Sequence, residues 1–310
     1  MAAESINPAS LGTKSVPQSP WSFGVVKFKH PDYPESKNCF LSLPRTDIKK
    51  SKGSDEIIVG VHHKTARVAC EILTGNNYEG YFSHDRQGDQ SVDLGPEDLL
   101  TEDEYFFFIK INLSYPLVPT FQDWIFPHDK LERIWPDSPV MGPIVPGICS
   151  FTFDWSVGTY LVPLNEALWY VINRVGMGQA ENLRSVYDAS NIIPLRSDLR
   201  KYLNDGNFAI VPKLTESGMR YVMTVLSTNA EEIWPTYHGC TAYQLSANSK
   251  PGLFARFAWT VFARANTWIG VGDHRTILRR YKDPRTKKWF YTTKRVHISE
   301  SAKAKDASRF

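Results

Sequence analysis

A dense run of side chains able to do chemistry lies towards the C-terminal end of the chain. Residues 271–310 hold twelve Lys/Arg, among them Arg279, Arg280, Lys287, Lys288, Lys294 and Arg295, against four acids, a net of +8. The 270 residues before them hold 24 bases and 29 acids, a net of −5. A basic segment on an acidic body suits contact with phosphate, which makes those six residues candidate nucleic-acid-binding positions. The competing reading is a solvated segment that keeps the protein soluble. His62 and His63 look like a metal pair, but neighbours on a helix do not face each other, so they read as structural. His84, His128 and His238 are isolated. Cys39, Cys70, Cys149 and Cys240 form no CxxC pair, so the usual zinc spacing is absent and all four read as buried thiols.

These side chains need elements to hold them. The 310 residues are 42% hydrophobic and 13% aromatic, which is the composition of a globular protein with a sizeable core. Residues 1–20 are polar and Pro/Ser-rich and predict disorder. WSFGVVKFKH (21–30) and NCFLSLPR (38–45) read as strands, DIKKSKGSDE (47–56) as a charged loop, and VGVHHKTARVACEILTG (59–75) as a helix. GYFSH and EYFFFIKINL are strand-like. Residues 115–139, rich in Pro and aromatics, read as an ordered connector. ICSFTF and TYLVP follow as short strands. Helices are expected at 165–175, with Asn165 as N-cap, at 195–206, ended by Gly206, and at 252–266. FAIVPK (208–213) and MRYVMTVL (219–226) form a hairpin across LTESG. Trp169, Phe254, Phe257 and Trp259 read as core by their helical spacing.

Two stretches carry a resemblance: TYLVPLNEALWY (159–170) and DASNIIPLRSDLRKYLNDGNFAIVPK (188–213). Together they resemble the fungal HNH-nuclease family, in which a His-Leu/Ile-Val-Pro segment precedes an Asn-x8-His segment. LFARFAWTVF (253–262) is similar to that family's closing helix. SLPRTD, VHHKTARVACEI, YEGYF and FPHDKL are similar to the module that precedes its nuclease domain. The resemblance covers residues 21–265.

What the resemblance implies is a hairpin plus helix around one divalent metal. One histidine takes the proton from the attacking water, an asparagine orients that imidazole, and a helix histidine binds the metal. Tyr160 falls where the first histidine belongs, and a phenol with a pKa of about 10 is a poor base near neutral pH. Asn191 falls on the orienting asparagine. Arg200 falls where the ligand histidine belongs; its guanidinium has no lone pair for a metal and would repel one. Asp188 and Asp198 are the nearby carboxylates that could hold a hard divalent metal. Asn191 reads alternatively as a turn cap. Arg200 reads as a phosphate contact or as a solvated helix arginine. Arg196 and Asp198, two apart in a helix, are expected on different faces, with Arg196 paired structurally to a nearby carboxylate.

The expected fold is therefore α+β: an N-terminal mixed module (21–140), an HNH-type ββα-metal-like module (143–268) with a C-terminal apolar helix, and a basic tail (271–310), partly strand-forming around 287–298. Three functional readings follow. The first is a degenerate HNH-type protein that binds nucleic acid or regulates without cutting and needs no cofactor. The second is an active endonuclease using Mg, Mn, Ni or Zn on Asp188 or Asp198. The third is a scaffold for a protein partner. No run of about 18 apolar residues and no signal-peptide pattern is present, so no membrane contact and an intracellular location, cytoplasm or nucleus, are expected.

Overall fold

The computed structural model describes residues 24–50, 56–110, 114–137, 147–173, 175, 185–269 and 274–297; the expectation for residues 1–20 lies outside them. Strands β1 (Val25–Lys29), β2 (Cys39–Pro44), β3 (Asp47–Lys50) and β4 (Ile57–His62) lead into helix α1 (His63–Leu73). Strands β5 (Gly80–Ser83), β6 (Leu99–Leu100) and β7 (Glu104–Ile109) follow, and α2 (Leu131–Ile134) lies in the connector. The chain continues through β8 (Val157–Tyr160), α3 (Ala167–Ile172), β9 (Ile192–Leu195), α4 (Ser197–Asn204), β10 (Phe208–Thr215) and β11 (Gly218–Val225). It ends with α5 (Trp234–Tyr237), α6 (Lys250–Ile269), β12 (His274–Lys282) and β13 (Trp289–His297). The fold is α+β, built on several small sheets.

One sheet has the order β2-β1-β7-β5, with β1 antiparallel to β2 and parallel to β7. Alternation along β1 turns Val26 and Phe28 into the core, both fully buried. A second sheet has the order β3-β4-β6. Helix α6 packs against β2, β10 and α1. Its Leu253, Phe254, Phe257, Ala258, Val261 and Phe262 recur at three- and four-residue spacing, and all are buried. Trp169, Phe254 and Phe257 are core as their spacing predicts, with Trp259 partly buried beside them. The Trp124 ring from the connector stacks on Trp169 of α3, centroids 5.5 Å apart and nearly parallel. A fully buried aromatic side chain contributes roughly 1.5–3 kcal/mol by area alone, so this aromatic seam is a principal source of stability.

Several local expectations are corrected. The charged run at 47 opens as strand β3, because Asp47–Lys50 pair antiparallel with Ile57–Gly60. The helix expected from residue 59 starts at His63, because the β-branched run Ile57–Val61 is claimed by pairing with β3 and β6. Gly60 permits that pairing: a Cβ there would stand 2.4 Å from the Leu100 carbonyl oxygen. ICSFTF is no strand. The chain reverses at Phe153 (φ +60°), leaving one isolated bridge between Ile148 and Trp155. Asn165 does not cap α3, which begins at Ala167 after a 3-10 turn, Leu164–Glu166, with no side-chain cap. Leu195 belongs to β9 and α4 begins at Ser197; Gly206 (φ +67°) does end that helix, in the left-handed region that favours glycine. Cys70 and Cys149 are buried, whereas Cys39 and Cys240 are half-exposed.

Candidate functional site

The two resembling stretches come together in space. β8 and β9 pair antiparallel with Tyr160 opposite Ile192, and α4 follows β9 directly, giving a strand–strand–helix unit. Asn191 is fully buried at the closed end of that pair. Its Oδ1 accepts from the Val162 amide (2.8 Å), and its Nδ2 donates to the carbonyls of Val186 (2.8 Å) and Val162 (3.1 Å). Asn191 is thus a clamp between two chain segments. The turn-capping role belongs to Asp188, whose Oδ1 accepts from the Ser190 amide (2.7 Å). Beneath the unit lies Arg256 of α6, 1% exposed, donating to the carbonyls of Tyr160 (2.7 Å) and Leu203 (3.3 Å). One guanidinium therefore ties the end of β8 to the end of α4. Burial pulls its pKa down to about 9, and the Trp259 ring faces it at 4.8 Å.

The donor set of this unit does not fit a divalent metal. Tyr160 is half-buried at the strand end, its ring 6.0 Å from that of Tyr187. Arg200 is exposed on α4. Asp198 is engaged by Arg196, which also reaches Asp154 Oδ2 (3.1 Å); the Arg196 hydrogen bonds hold the Asp198 carboxyl below its usual range. Arg196 and Asp198 do meet, against expectation, because Arg196 precedes the helix in extended backbone (ψ 152°) and folds its side chain over the first turn. Asp188 holds the 3-10 turn through its Oδ1. Among the described residues, no three His, Cys, Asp or Glu side chains gather as a metal site would need.

The basic segment forms a hairpin of β12 and β13 that docks on the rest of the chain. Leu117 bridges Ile277 in parallel, and the Ile125 amide donates to the Tyr291 hydroxyl (2.8 Å). Arg275, 2% exposed, is sandwiched between the rings of Tyr33 (4.5 Å) and Trp268 (4.4 Å) and donates to the Lys37 carbonyl. Arg279 pairs with Asp123, and the half-buried Arg280 lies over the Trp289 ring at 5.0 Å. Lys287, Lys288, Lys294 and Arg295 are exposed. At the free end Tyr281 and Phe290 are register partners with ring centroids 5.0 Å apart, and they remain 45% and 42% exposed. From His274 to His297 there are nine basic residues and one acid, Asp283, whose carboxylate accepts from the Arg285 amide within the turn.

A buried polar cluster escaped the sequence reading. Asp47 of β3 accepts at Oδ1 from the Lys213 ammonium and from His238 Nε2 (3.0 Å), and at Oδ2 from the His62 amide (2.9 Å). Val225 donates its amide to His238 Nδ1, so the proton sits on Nε2. His62 Nε2 meets Glu97 Oε2 at 3.1 Å, and that oxygen also accepts from the Leu214 amide. Burial alone would raise Asp47, but Lys213 and His238 hold it well below the carboxylate range. Burial lowers both His62 and His238. Asp47, Lys213 and His238 are at most 4% exposed, so the cluster is a tie between β3–β4 and the β10–β11 hairpin, closed to any substrate. His62 is structural, as expected, but it ends a strand rather than sitting in a helix. Sequence spacing gave no signal here, because the partners lie 166 and 191 residues apart.

No family model, curated protein or solved structure matches this chain. Among the described residues no helix is long and apolar enough to cross a membrane.

Proposed function

We propose that this protein binds single-stranded nucleic acid through its basic hairpin and carries an HNH-type strand–strand–helix unit that no longer cuts. The observation that carries the reading is the free end of the β12–β13 hairpin. There Tyr281 and Phe290 stand exposed as a cross-strand pair among Lys282, Lys287 and Lys288. Exposed rings interleaved with cations offer stacking for bases and charge for phosphates, and stacking contributes roughly 1–3 kcal/mol per base. The loss of cutting rests on Tyr160 and Arg200, which supply neither a base nor a metal ligand, and on Asp198, which Arg196 engages, with Asp188 holding a turn through its Oδ1.

The test is fluorescence anisotropy of labelled single-stranded DNA and RNA oligonucleotides across a salt series. Salt-sensitive binding that weakens about tenfold in Phe290→Ala supports the reading. Absence of binding at low salt, or binding indifferent to Tyr281→Ala/Phe290→Ala, sinks it.

A further inference from the structure

A cleft of about 480 Å³ opens beside α1, lined by Lys64, Arg67, Glu71, Tyr78, Lys110 and Arg133 among others. Lys64, Arg67 and Glu71 lie three and four residues apart on α1 and so share one face. Lys110 follows β7 and Arg133 sits in α2, so four cations converge on the cleft from three elements. The volume lies in the range of small-molecule sites, about 300–1,000 Å³.

The floor is the unusual part. Glu71 is 2% exposed, and its Oε1 has no hydrogen bond. Arg67 Nε is also buried without a hydrogen bond; it stands 3.6 Å from that oxygen, an ion-pair distance but too long for a hydrogen bond. Buried polar atoms in folded proteins nearly always find partners. Burial also pushes the Glu71 carboxyl up to about 8, so near neutral pH it carries a proton and can donate. A cleft with four cations, a donating carboxyl at its floor and Glu79 as its other acid favours an anion with several acceptor oxygens. Guanidinium groups match phosphate oxygens by their fork geometry, and ammonium groups add charge without directional demand.

We propose that this cleft binds the phosphate group of a small phosphorylated molecule, with Arg67 and Arg133 on the phosphate oxygens, Lys64 and Lys110 flanking them, Glu71 donating from the floor, and the organic part lying against Tyr78. The proposal is independent of the hairpin reading.

The test is isothermal titration of the full chain, in chloride buffer, with inorganic phosphate, a nucleoside 5′-monophosphate and the unphosphorylated nucleoside. Heat from the phosphate compounds and none from the nucleoside is expected. Arg133→Ala, an exposed position that leaves the core intact, weakens binding about tenfold or more. Lys287→Ala/Lys288→Ala at the hairpin leaves it unchanged. Circular dichroism confirms that each variant is folded, and the isosteric Glu71→Gln, which keeps a donor, retains binding. No heat from either phosphate compound at millimolar concentration overturns the proposal. So does equal affinity in Arg67→Ala/Arg133→Ala. Loss of binding in the hairpin variant alone would move the phosphate contact to the hairpin and equally overturn it.

Discussion

The Lys213 ammonium and the Asp47 carboxylate form a fully buried ion pair between residues 166 positions apart, with His238 completing the carboxylate's shell. Removing one partner strands the other in a low-dielectric interior. Lys213→Met is expected to cost about 3–5 kcal/mol, and Asp47→Asn/Lys213→Met less than the sum of the single changes. Urea unfolding of the two single variants and the double measures both numbers. Strict additivity would show that the pair is not coupled.

Glu71 gives a pH prediction of the less usual sign. Its folded pKa, about 8, lies above the ordinary 4.5 because of burial. The unfolded chain loses this proton first, so stability is fully present below about pH 4.5 and declines as pH rises towards 8. The loss is on the order of 5 kcal/mol. Glu71→Gln should abolish it, so the difference in melting temperature between Glu71→Gln and the parent grows from pH 5 to pH 8. A flat difference refutes the assignment.

The buried histidines pull the other way on the acid side. Burial lowers His30 and His63 to about 4, so the fold keeps them neutral while the unfolded chain takes up protons below its value of 6.5. Stability is present above about pH 6.5 and falls as pH drops towards 4. His63→Gln should reduce the slope of melting temperature against pH in that window.

Asn191→Ala removes three hydrogen bonds and leaves the Val162 amide and two carbonyls unsatisfied. The expected cost is about 2–4 kcal/mol. Asn191→Asp keeps the acceptor but not the donor and should rescue only part of it. Differential scanning calorimetry of the two variants separates these contributions; equal stability of all three proteins would contradict the clamp.

Plasmid DNA incubated with the parent protein and magnesium, manganese, nickel or zinc should stay supercoiled. On the proposed HNH-type reading, a Tyr160→His/Arg200→His variant would gain a base and a metal ligand and should nick it. Nicking by the parent that Asp188→Ala abolishes would reverse the non-cutting reading.

Local patterns were legible where the decisive interactions were local. The β10–β11 hairpin followed from alternation and from Gly218, whose φ of +92° suits the turn. Helix α6 followed from its apolar spacing. Strand β13 falls where 287–298 was expected to form strand, whereas its partner β12 was not anticipated. What stayed hidden depended on distant partners. Asp47 read as part of a charged loop because the lysine and histidine that bury it lie at 213 and 238. Arg196 and Asp198 read as diverging because the helix start was placed two residues early. Arg256 gave no sign that it would sit under both β8 and α4. The cleft beside α1 needed Arg133 and Lys110 brought from elements that no pattern relates to residues 64–71.

The β12–β13 hairpin also bears on how the chain matures. Its inner side covers Leu117, Tyr33 and the Ile125 backbone, yet it is made after nearly everything it covers. A nascent chain halted at residue 270 would present the connector and Trp268 without their lid. The N-terminal strands are synthesised well before residues 274–297, so closure of the core over Leu117 and Tyr33 awaits that hairpin. The hairpin that leaves Tyr281 and Phe290 exposed at its free end is thus the same element that covers this part of the core.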